Sequence, residues 1–280
     1  MMMEKAGSSD DFSDRESFTD LSQARDFMES ITLTAHSHRF QRILAIDTSS
    51  RTGVVVLANL QVGQFHSVNI NPGLTHGREL VPTIQQIFRQ SDTSFDQLDA
   101  VAIGIGPGSY TGLRVGMAVA KTIAEVVNKP CLAIDSLLLP VLSLKDGPSR
   151  AVSIADAQRG AIYEAIYDRN QAGHWQRTQP PQIIPWNDLN RFASDPSTMI
   201  TGPGLSLAAK LGNVSCEITE EQFWQPDANS MEILLKQYLE ICPEVDRYRM
   251  EPLYIRPSAA EEKRDAQSAT KLFKQSESQP

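Results

Sequence analysis

Residues 104–124, GIGPGSYTGLRVGMAVAKTIA, decide the reading of this chain. The apolar run at 101–105 suits a buried strand, the Gly106-Pro107-Gly108 turn ends it, and 111–127 carries the apolar spacing of a helix. Ser109 or Thr111 stands where a helix needs its N-cap. A glycine turn leading into a helix exposes unpaired backbone N–H groups, so Gly106, Gly108, Ser109 and Thr111 are candidates for holding a phosphate or carboxylate. The stretch is not a P-loop, because no Gly-Lys-Ser/Thr follows, and Ser109 occupies the place of the third glycine of a dinucleotide fingerprint. A tight strand-to-helix connection that needs glycine torsions explains the same residues without any ligand.

Within the helix, Gly112, Gly116, Ala120 and Ala124 recur every four residues and strip one face of side-chain bulk. Each interior glycine costs about 1 kcal/mol relative to alanine, so close packing must compensate. Two partners fit equally well: the protein's own sheet, or a helix of another subunit.

Upstream, ILAIDTSSRTGVVVL at 43–57 places Asp47 at the end of a buried strand, followed by a hydroxyl-rich turn. Such an aspartate, with Ser49 beside it, can orient a hydrated Mg²⁺ near phosphates; it is as readily a turn or capping residue. The strand pattern at 43–46 continues at 54–58 and 62–70 with hairpin spacing, which predicts three sequential antiparallel strands. Leu80, Val81, Ile84, Ile87 and Phe88 then follow helical spacing, with Pro82 either in the first turn or kinking the helix. A strand at 131–134 and a helix at 136–144 precede a breaker cluster at 145–149.

The second half starts again with a strand pair, 151–156 and 161–167. Helical segments near 187–192, 205–211 and 230–241 alternate with strand candidates at 199–201 and 214–218. The expected fold class is α/β, with mixed sheets covered by helices and two related halves at 42–145 and 150–257. Residues 1–41 and 258–280 read as a disordered acidic tail and a flexible tail.

Composition narrows the function. The 280 residues are 41% hydrophobic and 21% charged, enough to build sizeable cores. The net charge is -8, and residues 1–41, with eight acids against four bases, carry half of it. No Lys/Arg stripe runs along the chain, so any RNA would be held through a partner rather than by this protein alone. No apolar stretch is long enough for a membrane helix, which makes a cytoplasmic protein the expectation. Cys131, Cys216 and Cys242 form neither a CxxC pair nor a disulfide framework and are read as buried hydrophobes. The five histidines make no HxxxH or HExxH pair and no serine lies in a GxSxG elbow, so no metal, no hydrolase chemistry and no catalytic residue are assigned.

The segments IDTSS, THGRELVPTI, GPGSYTGLRVG, DAQRGAIYEAIY and EPLYIRP, in that chain order over residues 42–257, together resemble the TsaB (YeaZ) family of the tRNA threonylcarbamoyladenosine pathway. The resemblance implies an actin-like ASKHA architecture of two related α/β subdomains. It also implies a non-catalytic scaffold for a TsaD-like subunit that threonylcarbamoylates the adenosine next to the anticodon, with a TsaE-like ATPase joining the assembly and a homodimer forming when TsaD is absent. The pairing surface is then expected on the two helices carrying His76, Leu80, Ile84, Ile87, Gly112, Leu113, Gly116, Met117, Ala120 and Lys121. No intrinsic cofactor is expected, and ATP or ADP would belong to the partner interface. Thr48 after Asp47, where active ATPases of this superfamily carry glycine, agrees with that silence. An active Mg-ATP-dependent kinase or ATPase of the same superfamily is the alternative, and a metallopeptidase is a more distant one.

Overall fold

A computed structural model describes residues 39–70, 76–144, 147–212 and 215–256, apart from the side chain of His76. The two tails read from the sequence lie almost wholly outside these residues. Phe40, which the sequence reading placed in the first tail, is buried in the core instead.

The first half builds a six-stranded sheet. Strands β1 (Arg42–Asp47), β2 (Gly53–Asn59) and β3 (Gln64–Ile70) form the predicted antiparallel meander, while β4 (Ala100–Gly104) and β5 (Cys131–Ile134) extend it in parallel on the other side of β1. The central strands are buried on both faces, which is why they read as continuous apolar runs rather than alternating ones. Helices α1 (His76–Gln90) and α2 (Tyr110–Val126) cover one face. There Leu80, Ile84, Ile87, Met117 and Ala120 pack on Leu44, Ile46, Val101 and Ile103. Pro82 falls in the second turn of α1, past the first-turn position at which proline is harmless.

Short helix α3 (Leu138–Leu142) leads to the second sheet, where β6 (Arg150–Asp156) pairs antiparallel with β7 (Ala161–Arg169) and β7 in turn with β8 (Trp175–Arg177) and β9 (Gln182–Pro185). After a 3-10 stretch at Trp186–Phe192, β10 (Thr198–Thr201) pairs parallel with β6, and a 3-10 turn at Pro203–Leu207 runs into the four-residue α4 (Ala208–Leu211). Of the expected strand at 214–218, residue 214 lies outside the described residues, and among those described only an isolated bridge between Ile200 and Ile218 is present.

The two sheets repeat one plan. In each, the first strand ends in aspartate (Asp47, Asp156), pairs antiparallel with the second and pairs parallel with a later strand. That later strand runs into Gly-Pro-Gly, 106–108 in one half and 202–204 in the other. Gly106 and Gly202 hold φ of 98° and 105°, which excludes other residues in practice, and no side chain fits at Gly202 because its Cβ would meet the Ile154 carbonyl at 2.4 Å. The halves diverge afterwards, with a seventeen-residue helix in one and a few tight turns in the other.

The chain does not end with the second sheet. Capped by Asp227, whose carboxylate accepts from Ser230 N, α5 (Ala228–Ile233) continues through a π segment at Leu234–Tyr238 and a 3-10 turn at Leu239–Ile241. Met231, Leu234 and Leu235 of this run join Ala45, Val56 and Ala102 of the first sheet and Tyr167 and Trp175 of the second in one hydrophobic cluster. The final strand, β11 (Glu244–Val245), pairs with β5 at the edge of the first sheet. Residues 228–245, grouped by the sequence reading with the second half, therefore pack on the first. Among the described residues, no helix is long and apolar enough to cross a membrane.

Candidate functional site

The predicted nucleotide-binding residues do meet in space, at the carboxyl ends of β1 and β4. They are occupied by one another. Asp47 is 0% exposed, and its Oδ1 accepts from Ser49 N (2.9 Å) and Ser49 Oγ (2.7 Å) while Oδ2 accepts from Ser136 Oγ (2.6 Å). The Ser136 hydroxyl in turn accepts from Gly106 N at 3.0 Å. Ser109 N donates to the Ser49 carbonyl at 2.6 Å, and a Cβ on Gly108 would lie 2.2 Å from that carbonyl oxygen. The space above the glycine turn is thus filled by the β1–β2 connection of the same chain. Ser109 is the N-cap of α2, its Oγ accepting from Gly112 N at 3.2 Å, whereas Thr111 is exposed in the first turn and caps nothing. Mg-nucleotide does not fit Asp47 here, because a carboxylate sealed from solvent and already accepting three hydrogen bonds cannot orient a hydrated cation.

The small-residue stripe resolves the same way. A Cβ on Gly112 would meet the Thr48 carbonyl oxygen at 2.0 Å, and one on Gly116 would meet Thr48 Oγ1 at 2.2 Å and Ile103 Cδ1 at 3.2 Å. Thr48 Oγ1 donates to the Gly112 carbonyl at 2.7 Å, so strand end and helix are joined backbone to side chain. The stripe faces the protein's own sheet. Leu80, Ile84, Ile87, Gly112, Leu113, Gly116, Met117 and Ala120 are buried by that packing and cannot form a partner surface, contrary to the sequence expectation. Lys121 is half-buried, its Nζ donating to the Met250 carbonyl at 3.1 Å, and the side chain of His76 lies outside the described residues. What α1 and α2 do present is their opposite faces: Arg78, Val81 (44% exposed), Pro82 and Gln85 on one, Arg114, Ala118, Thr122 and Val126 (79% exposed) on the other.

A strap formed by residues 246–256 runs antiparallel along α2. Arg247 and Tyr248 bind Glu125, the Met250 carbonyl takes Lys121, the Leu253 N–H donates to the Ile105 carbonyl at 2.8 Å, and Tyr254 OH accepts from Arg114 Nε at 2.9 Å. Sequence reasoning gave this segment no role, since an ion pair between residues 125 and 247 leaves no periodic trace.

It also missed a buried connection between the sheets. Asp135, at the end of β5, accepts at Oδ2 from Tyr167 OH of β7 and from Arg177 Nη1 of β8, both at 2.8 Å. Burial, with Asp135 beside it, drives the Tyr167 phenol well above its ordinary range, so it stays a neutral donor. Asp135 and Ser136 are neighbours in sequence, one anchoring the second sheet and the other anchoring Asp47. The thiols are inert by environment: burial pushes Cys131 up to about 11 and Cys242 up to about 12. A cleft of about 520 Å³ outside the second sheet is lined by Arg150, Ile184 and Arg191. Its arginines are paired with Asp168 and Glu164 respectively, which leaves little attraction for an anion. Among the described residues no group of three or more His, Cys, Asp or Glu side chains gathers where a metal could bind.

A family model described as TsaD, tRNA N6-adenosine threonylcarbamoyltransferase, matches residues 73–180. The tRNA threonylcarbamoyladenosine biosynthesis protein TsaB of Escherichia coli is 32% identical over 145 residues, covering 51% of this chain and 62% of that protein. The TsaB of Haemophilus influenzae is 26% identical over 225 residues, covering 76% of this chain and 93% of that protein. In three dimensions, YeaZ from Pseudomonas aeruginosa superposes with a TM-score of 0.62 at 22% identity, over 76% of this chain and 99% of that one, and so shares the fold. The matched part thus spans about three-fifths of the E. coli relative and nearly all of the H. influenzae one. With five segments in order, a duplicated α/β plan and these relatives in agreement, the chain is similar in sequence to TsaB proteins and shares the fold of YeaZ.

Proposed function

We propose that this protein is a non-catalytic subunit of a tRNA-threonylcarbamoylating assembly, supporting a TsaD-like enzyme that modifies the adenosine next to the anticodon. The observation that carries the reading is the sealed centre: Asp47, the acid that ends β1, is buried and held by Ser49 and Ser136. The names of the relatives place them in tRNA threonylcarbamoyladenosine biosynthesis. A chain similar to them whose own centre is closed would serve that pathway by binding rather than by chemistry.

The docking surface moves from the buried stripe to the outer faces of α1 and α2, around Val81, Gln85, Ala118 and Thr122. These side chains are exposed, lie on two neighbouring helices and include apolar atoms that a partner would remove from water. In the absence of the enzyme the same faces pair with a second copy, and a TsaE-like ATPase joins the heteromeric assembly. Any ATP or ADP is held between subunits, not at Asp47. The assembly works in the cytoplasm, and tRNA enters with it.

Size-exclusion chromatography with light scattering, on this chain alone and mixed with the TsaD-like protein of the same organism, tests the reading when tRNA modification is assayed in parallel. A heteromer that modifies tRNA, with neither subunit active alone, is expected. Stoichiometric Mg-ATP turnover by the isolated chain, lost on Asp47→Ala, would instead establish the kinase-like alternative.

A further inference from the structure

Folding brings together, at the start of α2 and along the strap, a basic and aromatic cluster that no linear stripe announces. Tyr110 opens α2, and its ring centroid lies 5.0 Å from that of Tyr254 on the strap. The Arg114 guanidinium sits 4.1 Å from the Tyr110 ring and 5.8 Å from the Tyr254 ring, and its Nε donates to Tyr254 OH. Both tyrosines are 37% exposed, so the cluster is anchored yet open to solvent. Two residues along the strap, Arg256 donates to the carbonyls of Ala157 and of Gln158, the latter at 2.9 Å. The turn it holds is unusual: Gln158 and Arg159 have φ of 67° and 58°, and both are exposed. Left-handed backbone at non-glycine residues costs about 1–3 kcal/mol each and persists where the surroundings enforce it. Here Arg256 and the Asp156 carboxylate, which accepts from Gln158 N and Nε2, do so.

The Tyr110–Arg114–Tyr254 cluster and the Gln158–Arg159 turn, tied by the strap through Arg256, carry three arginines against Asp156 and Glu251, on a chain whose net charge is -8. Exposed tyrosine rings beside fixed guanidinium groups are the components that unstacked RNA bases and their phosphates select. We propose that this surface binds unpaired nucleotides of the tRNA anticodon arm, with bases stacking on Tyr110 and Tyr254 and phosphates meeting Arg114, Arg159 and Arg256. The inference rests on the tRNA-modification reading for its substrate and departs from the expectation that this subunit leaves tRNA wholly to its partner.

The test is a fluorescence-anisotropy titration of the full chain, alone and as the heteromer with the TsaD-like protein, against an anticodon stem-loop RNA and a fully paired RNA duplex. The stem-loop is expected to bind more tightly than the duplex. Tyr110→Ala and Tyr254→Ala should each weaken it about tenfold, while Tyr110→Phe, which keeps the ring, retains binding. Arg114→Ala should lower the slope of log affinity against log salt by about 0.7, the value for one phosphate of a single strand. Lys210→Ala, an equal loss of charge on α4, serves as the control and changes neither. Equal affinity across these variants, each shown folded by its thermal melt, overturns the proposal. So does loss of heteromer formation by Tyr110→Ala with stem-loop binding unchanged, which would make the surface a protein contact. Failure of the heteromer to form with the unaltered chain counts against the scaffold reading, and the titration of the isolated chain still decides the RNA surface.

Discussion

Gly116→Ala distinguishes a stripe that serves the fold from one that serves a partner. The added Cβ would sit 2.2 Å from Thr48 Oγ1 and 3.2 Å from Ile103 Cδ1. To make room, Thr48 must rotate and give up its 2.7 Å hydrogen bond to the Gly112 carbonyl. Overpacking of a close-fitted site costs about 1–3 kcal/mol. The lost buried hydrogen bond adds about 1 kcal/mol. Replacing an interior helical glycine returns about 1 kcal/mol. The net expectation is a destabilisation of about 1–3 kcal/mol, read as a lowered urea midpoint at constant slope. Removing Thr48 Oγ1 relieves the clash, since the next Thr48 atom, Cβ, is at 3.5 Å. In a Thr48→Ala background, Gly116→Ala should therefore cost little, giving a coupling of about 1–3 kcal/mol in the double-mutant cycle. Additive single changes, or a Gly116→Ala protein of native stability that fails to bind the TsaD-like partner, would refute the packing and return the stripe to the interface.

Other expectations follow from the same structure. Ser136→Ala leaves Asp47 Oδ2 and Gly106 N without their shared partner and should cost about 1–3 kcal/mol, measured by thermal or urea unfolding. Asp135→Ala strands the largely buried Arg177 and should cost about 3–5 kcal/mol, more than Tyr167→Phe, which removes only one hydroxyl from the pair. Val81→Glu and Ala118→Glu, on exposed helix faces, should change stability by less than about 0.5 kcal/mol yet weaken association with the partner in light scattering. The pH dependence has a definite sign. Cys131 and Cys242 are raised to about 11 and about 12, so above pH 9 the unfolded chain releases thiol protons that the native chain keeps. Stability is full below that pH and falls as pH rises toward 11–12, by about 1.4 kcal/mol per pH unit for each thiol. Cys242→Ala should reduce the slope of the alkaline denaturation profile.

The sequence by itself determined the elements whose side chains repeat: the apolar runs of β1, β2 and β4, the 3.6-residue spacing of α1 and α2, and the glycine turn between strand and helix. Two halves starting alike, and five family segments in order, were legible because each depends on neighbours along the chain. Short edge strands were not. Trp175–Arg177, Gln182–Pro185 and Glu244–Val245 are too brief to show a period, and each exists because an adjacent strand offers it hydrogen bonds.

Only the tertiary structure decided what the chemically suggestive residues do. Asp47 could equally have faced a cation or a turn, and the choice fell to Ser136, eighty-nine positions away, whose hydroxyl closes the carboxylate from above. The Gly112–Ala124 stripe could have met another subunit, and the Thr48 carbonyl, placed there by the end of β1, claimed it first. The basic and aromatic cluster has no linear signature at all, because Tyr110, Arg159 and Tyr254 come from three segments brought together by the strap. Periodicity reports which face of an element is buried; it carries no information about which atoms bury it, and function in this protein turns on that second question.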